Sequence, residues 1–387
     1  MRRYLLRFWE AFKKGDMILL LLCVVATAFG LLMIASTTTA SSSGAMHYLL
    51  RQLGAAVAGI FLYVLISSVD TDFFSEHRLM LVFINVALLL MLIPFGQTIS
   101  GNRSWLHFPF LPFNIQPAEI CKISFILIMA SVMNSHQNRL SSVPSVLHMV
   151  AHMVALVALN LIISGDAGVS LIFVFIFIGM TLSGGVNYLW FGVAAGGIAV
   201  AAPIAWGMLN EYQRNRIEVL FNPDLDPLGT GPMYHTVRAL RSLTGGGLTG
   251  QGLFQGHRTQ TQGALFAQHT DYIFAAIGEE LGFVGCALVL ILLCAIVMRC
   301  IWVGIRSQDM LRRLVCFGAA SALIFQIVVN VGMCIGVMPV IGITLPFISY
   351  GGSSIITLYV MLGLVSGVYA RPAPTSHERY IRPPFEI

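Results

Sequence analysis

Apolar residues do not alternate with polar ones along this chain; they come in long uninterrupted blocks. A helix needs about 20 apolar residues to cross roughly 30 Å of hydrocarbon. Blocks of that kind begin near Met17, Leu53, Leu79, Ile120, Leu147, Gly168, Tyr188, Ile273, Arg313 and Pro346. The pattern predicts an all-α polytopic membrane protein with about ten transmembrane helices. The fourth block opens with Glu119 and contains Lys122, and the fifth and sixth are separated only by the tight turn "SGDAG". The longest polar stretch, residues 209–270, separates the seventh block from the eighth. A connection of that length is usually functional or disordered.

Ten spans put both ends of the chain on one side, and the basic residues say which side. Arg2, Arg3, Arg7, Lys13, Lys14, Arg78, Arg139, Arg299, Arg306, Arg312, Arg313, Arg371, Arg379 and Arg382 share the side of the termini. The short segments of the other side hold Arg51, Arg103 and Lys122. Short cytoplasmic loops carry the Lys/Arg excess, so residues 1–16 and the tail 371–387 are expected in the cytoplasm. The loop 209–270 is then expected outside, with Arg103, Trp105, Glu119, Lys122, Asp166 and Asp271 at the same outer face.

Composition agrees with the blocks. The chain is 57% hydrophobic and 10% charged, against roughly 45–50% and about 25% in soluble domains, and its mean hydropathy is +0.82. The net charge of +5 is scattered, unlike a nucleic-acid footprint, and no nucleic acid is expected as a partner. None of the seven cysteines forms a C-x-x-C pair; they read as small buried hydrophobes, not as a disulfide framework or a zinc site. The N-terminus has a basic start and a long apolar run with no clear cleavage site, so it reads as a retained first helix.

Four polar constellations interrupt the apolar pattern. In "SGNRSWLHFPFLPFNIQPAEICKISF", Pro109, Pro112 and Pro117 forbid a regular helix, so an interfacial segment that re-enters the membrane is expected, with Phe108, Phe110, Phe113 and Trp105 at headgroup level. Glu119 and Lys122 then share a helix face. They are either a self-neutralising pair or a Lys that holds a phosphate or second carboxylate. The long loop is rich in Gly, Arg and Gln; it suits diphosphate binding or is simply flexible. In "HTDYIFAAIGEELG", Asp271 precedes a long apolar helix, as an N-cap or as a general base facing an outer cleft. Glu279 and Glu280 lie deeper and read as structural, with Glu280 bridging to an Arg. In "QIVVNVGMCIGVMPVIGITLPFISYGGSS", Pro339 and Pro346 bracket a break that must be buried in protein or line a cavity, and its polar residues serve packing or ligand contact.

Read in order, these motifs resemble the SEDS family (RodA, FtsW and SpoVE), membrane glycosyltransferases that polymerise peptidoglycan. The likeness runs nearly end to end, through "NRSW", "QPAEICK", "YQRNRI", "DPLGTG", "HTDYIFAAIGEELGFVG" and the "NVGMCIGVMPVIGITLPFISYGGSS" run. It implies one SEDS-type membrane domain over residues 1–387. It also implies ten helices and a large extracellular loop between the seventh and eighth. Asp271 then corresponds to the essential catalytic Asp, Glu119 and Lys122 lie near it in the same cavity, and Trp105 matches the family's R-W position. Two departures stand out. Phe266 and Ala267 replace a Pro and a Glu before "HTD", and "SGDAGV" keeps Asp166 and Gly168 of a Q-P-D-L-G-T motif without its flanks.

The resemblance implies lipid II as substrate, a disaccharide-peptide on a polyprenyl diphosphate, with membrane lipids around its tail. Asp271 would take the acceptor proton, held ionised by Lys122, in an inverting displacement. Arg103, Arg214 and Arg216 would bind the diphosphate, with a divalent cation such as Mg or Mn as a candidate companion. Asp166, His269 and Glu280 complete the candidate site, and no protein-held metal is expected. The family implies a class B penicillin-binding protein as partner, in the bacterial plasma membrane, for elongation, division or sporulation. A precursor flippase or transporter, or a non-catalytic morphogenesis scaffold, are the alternatives.

Overall fold

Asp16 starts the first helix by accepting a hydrogen bond from the Leu19 amide at 3.0 Å, which satisfies one of the N–H groups a helix start leaves open. The computed structural model describes residues 13–39, 45–99, 101–108, 114–208, 211–222, 225–226, 229–231 and 233–371. The apolar blocks fold as α1 (Met17–Thr38), α2 (Ala45–Ser67), α3 (Arg78–Leu90), α4 (Pro117–Ser135), α5 (Val143–Ser164), α6 (Ala167–Gly184) and α7 (Tyr188–Met208). Two helices, α8 (Glu211–Phe221) and α9 (Tyr234–Gly245), occupy the long polar stretch, and α10 (Ile273–Arg306), α11 (Met310–Cys334) and α12 (Gly352–Ala370) follow. Among the described residues nine helices are long and apolar enough to cross a membrane, and α7 adds a shorter apolar stretch, Tyr188–Ile204. The chain is a multi-pass membrane protein.

Helices α4, α11 and α12 form the buried centre, with α2 laid along α12 and α10 along α11. Helix α7 is different: its side chains are exposed from Gly192 to Ile204, as expected of a helix bathed in lipid. One end of the bundle is tied by charge. Arg299 of α10 grips Asp16 at 2.7 and 3.0 Å, and Arg312 meets Asp70 and Asp72. Because α10 runs from Ile273 to Arg306, Asp271 belongs to the opposite end.

The structure departs from the expected pattern at three places. A small antiparallel hairpin, β1 (Gly96–Ile99) and β2 (Asn102–Leu106), stands between α3 and α4 within the all-α fold. The proline-rich part of that segment, 109–113, lies outside the described residues, as do the tail 372–387 and residues 1–12. The last span begins at Gly352 rather than near Pro346. Residues 335–351 are not helical, and Ile343, Leu345, Phe347 and Ile348 in them are buried, where bundle packing replaces the missing helix. Finally, α10 is broken at Gly282, whose φ of 65° and ψ of −164° are non-helical.

The break in α10 explains the glycine-rich stretch before it. A broken helix strands carbonyls and amides that must find partners. The Gln251 and Gly252 amides donate to the Glu279 and Glu280 carbonyls at 2.9 Å each, and the Phe283 and Val284 amides donate to the Gly247 and Leu248 carbonyls at 2.9 and 3.1 Å. This backbone clasp needs close approach: a Cβ on Gly246 would sit 1.8 Å from the Gly278 carbonyl oxygen, and one on Gly250 2.1 Å from that of Glu280. Gly246, Gly250 and Gly252 thus dock backbone on backbone, and the diphosphate reading of this part of the loop gives way to a structural one.

Candidate functional site

Asp271 stands just before α10, yet it does not cap it. Asp16, Asp166 and Asp309 each accept a backbone N–H three residues on, whereas α10 starts at Tyr272 with no side-chain cap. Among the described residues the Asp271 carboxylate accepts no hydrogen bond and joins no ion pair; Oδ2 faces Gly342, 3.6 Å from where a Cβ would lie. The backbone beneath it is held at every residue. The Tyr350 amide donates to His269 O at 2.8 Å, Ser349 Oγ to Thr270 O at 2.6 Å, and Asn330 Nδ2 to Asp271 O at 2.8 Å. Asn330 also donates to Ile343 O at 2.7 Å, so one amide ties the "HTD" turn to the broken segment. Burial without compensating hydrogen bonds pushes the Asp271 carboxyl from its ordinary 3.8 up to about 6.

The other polar residues approach from three further directions. On α4, Lys122 Nζ lies 2.9 Å from Glu119 Oε2, both side chains buried, and Thr357 of α12 donates to the same oxygen at 2.9 Å. The Lys122 approach is close enough for an ion pair, but its angle is outside hydrogen-bond geometry; we treat it as a charge contact that leaves ammonium donors available. The expected hold of Lys122 on Asp271 is corrected: the ammonium is paired with its own-helix carboxylate, three residues away. Gln116 links α4 to Asp166, with Nε2 3.4 Å from Oδ2, while its amide donates to Ser353 Oγ at 3.2 Å. Asp166 also accepts from Ser104 of the hairpin at 3.3 Å and from the Val169 amide at 3.1 Å. Burial pushes its carboxyl up, and Glu119 adds to the rise while these donors oppose it. Gly168 fits against Ile341 O, the neighbour of Gly342, so the Asp166 turn and Asp271 pack on the same broken segment.

Other expected site residues sit elsewhere or do other work. Arg103 and Trp105 lie on β2 on either side of Ser104; Arg103 is exposed and donates to Gly96 O at 3.2 Å. Arg214 donates to the carbonyls of Trp206 and Gly207 at 3.0 and 3.1 Å, so it closes the end of α7, and among the described residues it has no hydrogen bond or ion pair with the Asp271 surroundings. Arg216 falls on α8, but its side chain is outside the described residues. The His269 ring packs 5.0 Å from Tyr48 and 5.8 Å from Tyr350, and burial pushes its imidazole down, toward the neutral form.

Glu280 is corrected from a substrate contact with an Arg bridge to a loop anchor. It is fully buried and accepts from Ser36 Oγ at 2.7 and 2.6 Å, the Phe254 amide at 3.2 Å and Gln260 Nε2 at 3.1 Å. Glu279 likewise accepts from the Arg258 and Thr259 amides and Thr259 Oγ1. Neutral donors from the loop replace the expected guanidinium.

Arg51 and Gln52 on α2 belong to the site, although the sequence pattern places only Arg51, and that by topology. Gln52 donates to Ser349 O at 3.2 Å and accepts from the Gly351 amide at 3.0 Å. Arg51 hydrogen-bonds the Tyr350 hydroxyl, pulling that phenol down against the upward push of burial. Its Nε is buried without a hydrogen-bond partner, and it has no carboxylate partner among the described residues. The available signal was an Arg-Gln pair at the mouth of an apolar block, where intramembrane charge is seldom idle. Among the described residues no three of His, Cys, Asp and Glu could hold a metal ion.

This arrangement offers one desolvated, unpartnered carboxylate on a fixed turn, with Arg51 on Tyr350, whose amide holds that turn at His269 O, and Lys122 on α4 beside Glu119. Chemically it suits proton abstraction beside an anionic group. The peptidoglycan glycosyltransferase MrdB of Escherichia coli (strain K12) is 32% identical over 82% of this chain and 85% of its own. The probable peptidoglycan glycosyltransferase FtsW of Trichlorobacter lovleyi is 31% identical over 92% and 93%. A chain from a peptidoglycan synthase complex that coordinates polymerization and crosslinking superimposes with a TM-score of 0.76 at 27% identity, covering 95% of this chain and 99% of its own. The family model described as cell cycle protein, FtsW/RodA/SpoVE, matches residues 16–372, and with such relatives across most of its length this chain belongs to that family.

Proposed function

We propose that this protein is a peptidoglycan glycosyltransferase that polymerises lipid II, with Asp271 as general base. The observation that carries the reading is the Asp271 carboxylate: among the described residues it is the only one of five aspartates at helix starts (Asp16, Asp70, Asp166, Asp271 and Asp309) that caps nothing, on a turn whose three carbonyls are each held. The acceptor hydroxyl gives its proton to Asp271 as its oxygen bonds to the donor sugar's C1. The C1–oxygen bond to diphosphate breaks, and the diphosphate leaves with the electron pair. That leaving group is already stable as an anion, so no strong acid is required; cations are. Arg51 and Lys122 supply them, and Glu119 stands 2.9 Å from Lys122 as its counter-charge. Direct displacement inverts the anomeric centre.

The donor set does not build a resident metal site among the described residues. A divalent cation would arrive on the diphosphate oxygens, and no step here depends on it. The termini are assigned to the cytoplasm and Asp271 to the outer face, on the Lys/Arg distribution. The chain contains no S-x-x-K sequence and so lacks that signature for cross-linking chemistry. A class B penicillin-binding protein is the fitting partner, in keeping with the synthase complex that holds the structural relative.

The test is polymerisation of lipid II by purified protein, with products resolved on a gel, for wild type and Asp271→Asn. Polymer from wild type and none from a folded variant supports the base. Equal polymer from both removes it. No polymer from either, even with the partner added, favours a transporter or scaffold.

A further inference from the structure

Phe266 and Ala267, the two departures before "HTD", build a feature that the proposed chemistry leaves unused. Ala267 takes a left-handed φ of 48°, uncommon for a residue with a Cβ. Such a conformation persists only where the surroundings hold it. Here Ala267 O accepts from the Thr270 and Tyr272 amides at 3.1 and 3.2 Å, and those residues flank Asp271. Beside this turn Leu265 is buried and Phe266 is 60% exposed. Phe266 is not a stray surface hydrophobe. Its ring lies 4.8 Å from that of His235 on α9, and His235 lies 6.3 Å from Tyr272. Tyr234 meets His235 edge-on at 5.2 Å, and the Arg238 guanidinium lies 4.1 Å over Tyr234. Arg238 returns to the loop by donating to Gly263 O at 2.7 Å and Ala264 O at 3.3 Å.

We propose that Phe266 is a stacking subsite for an acetamido sugar of the growing glycan strand, an inference that rests on the polymerase reading above. A pyranose ring presents an apolar C–H face and polar edges. An exposed aromatic ring set in a polar loop matches both: Thr261, Gln262 and Gly263 just before it are exposed as well. The exposed apolar face of α10 lies elsewhere. Every side chain from Tyr272 to Glu280 is buried, and that face begins at Phe283. Residues 227–270 contain Arg238, Arg241 and Arg258 but no Asp or Glu, so the loop does not repel the carboxylates that a peptide-bearing strand carries. The carbonyl next to Phe266 holds the amides on either side of the proposed base. A sugar stacked on this ring is thereby held relative to Asp271, which keeps the strand on the enzyme between additions.

The test needs no catalysis. Full-length Asp271→Asn protein in lipid nanodiscs is titrated with chitotetraose, an N-acetylglucosamine tetramer, and binding is read by ligand-observed saturation-transfer NMR. Adding Phe266→Ala should weaken binding about two- to tenfold, the range of one aromatic contact. Phe266→Trp should retain it, and Phe266→Leu should behave as Phe266→Ala. Absence of binding by the Asp271→Asn parent, or equal binding with Phe266→Ala added, overturns the subsite. Retention by Phe266→Leu also overturns it, because the residue would then act through apolarity and not through its ring face. With Asp271 restored, Phe266→Ala should make shorter strands from lipid II than wild type does. If wild type makes no polymer while tetramer binding still depends on Phe266, the polymerase reading fails and the sugar site stands.

Discussion

Three glycines in the loop before α10 separate two reasons for being glycine, and substitution by alanine reads them apart. Gly246 has an ordinary φ of −82°, but its Cβ would fall 1.8 Å from Gly278 O. Gly247 has a φ of +56° and nothing within 4 Å of a Cβ. Gly250 has both demands, a φ of +81° and a Cβ 2.1 Å from Glu280 O. A left-handed alanine costs about 1–2 kcal/mol, which is all that Gly247→Ala should lose. A Cβ at Gly246 or Gly250 strikes backbone that cannot rotate away, so the loop must lift from α10. Four main-chain hydrogen bonds hold it there, each contributing about 0.5–1.5 kcal/mol net; losing most of them costs about 2–6 kcal/mol. Gly250→Ala adds the strain of its φ. The expected order of damage is therefore Gly250→Ala, then Gly246→Ala, then Gly247→Ala. The assay is the thermal midpoint of detergent-purified protein, followed by size-exclusion after heating. Gly247→Ala as harmful as Gly246→Ala would show that φ alone matters here and would refute the clasp. Wild-type midpoints for Gly246→Ala and Gly250→Ala would refute the docking altogether.

Polymerisation should lose rate tenfold per pH unit below about 6 and be flat above, since protonating Asp271 removes the base; a limb near the ordinary 3.8 in kcat/KM would contradict its desolvation. The same shift gives a stability sign. The folded value lies above the unfolded one, so ionisation costs stability as pH rises through about 6, and Asp271→Asn should melt above wild type at pH 8 but not at pH 3. Lys122→Met should cost about 3–5 kcal/mol by leaving Glu119 buried and uncompensated, while Glu119→Gln/Lys122→Met should recover most of that in thermal midpoint. Asn330→Asp should be worse than Asn330→Ala in both midpoint and polymer yield, because a carboxylate would face the Asp271 and Ile343 carbonyls that the amide now serves.

The legible parts of this molecule are those that one chain segment decides alone. Apolar block length located the helices, because hydrocarbon thickness sets a minimum that no distant contact relaxes. The turn at Gly165 and Asp166 was legible for a similar reason: a left-handed Gly closes α5 and the next residue caps α6. Partners across the chain were not legible. Nothing in "IGEELG" says that Glu280 meets Ser36, 244 residues away, instead of an arginine, or that Glu279 serves loop amides. The spacing of Glu119 and Lys122 allows their pairing but does not choose between it and a second carboxylate; the structure pairs them at 2.9 Å. The hairpin at 96–106 escaped notice because its strands are four and five residues long and sit beside a proline-rich run that dominated the reading.

The same physical requirement builds both the fold and the candidate site. A bundle in lipid must pair every backbone group it exposes by breaking a helix. This chain interrupts its helices at 246–272, 335–351 and 165–166, and the resulting segments close on one another. Thr270 O goes to Ser349, Asp271 O and Ile343 O to Asn330, and the Gly351 amide to Gln52. Those side chains had to be polar to satisfy backbone, and their satisfaction fixes the "HTD" turn without using the Asp271 carboxylate. In the proposed role as base, a carboxylate held this way would need little reorganisation when substrate arrives, which is what makes a desolvated group effective in the transition state. The carboxylate is unpaired because the backbone around it is so fully paired. Conversely, a change that frees the turn, such as loss of the Asn330 amide, should let Asp271 find a hydrogen bond of its own and weaken the proposed base.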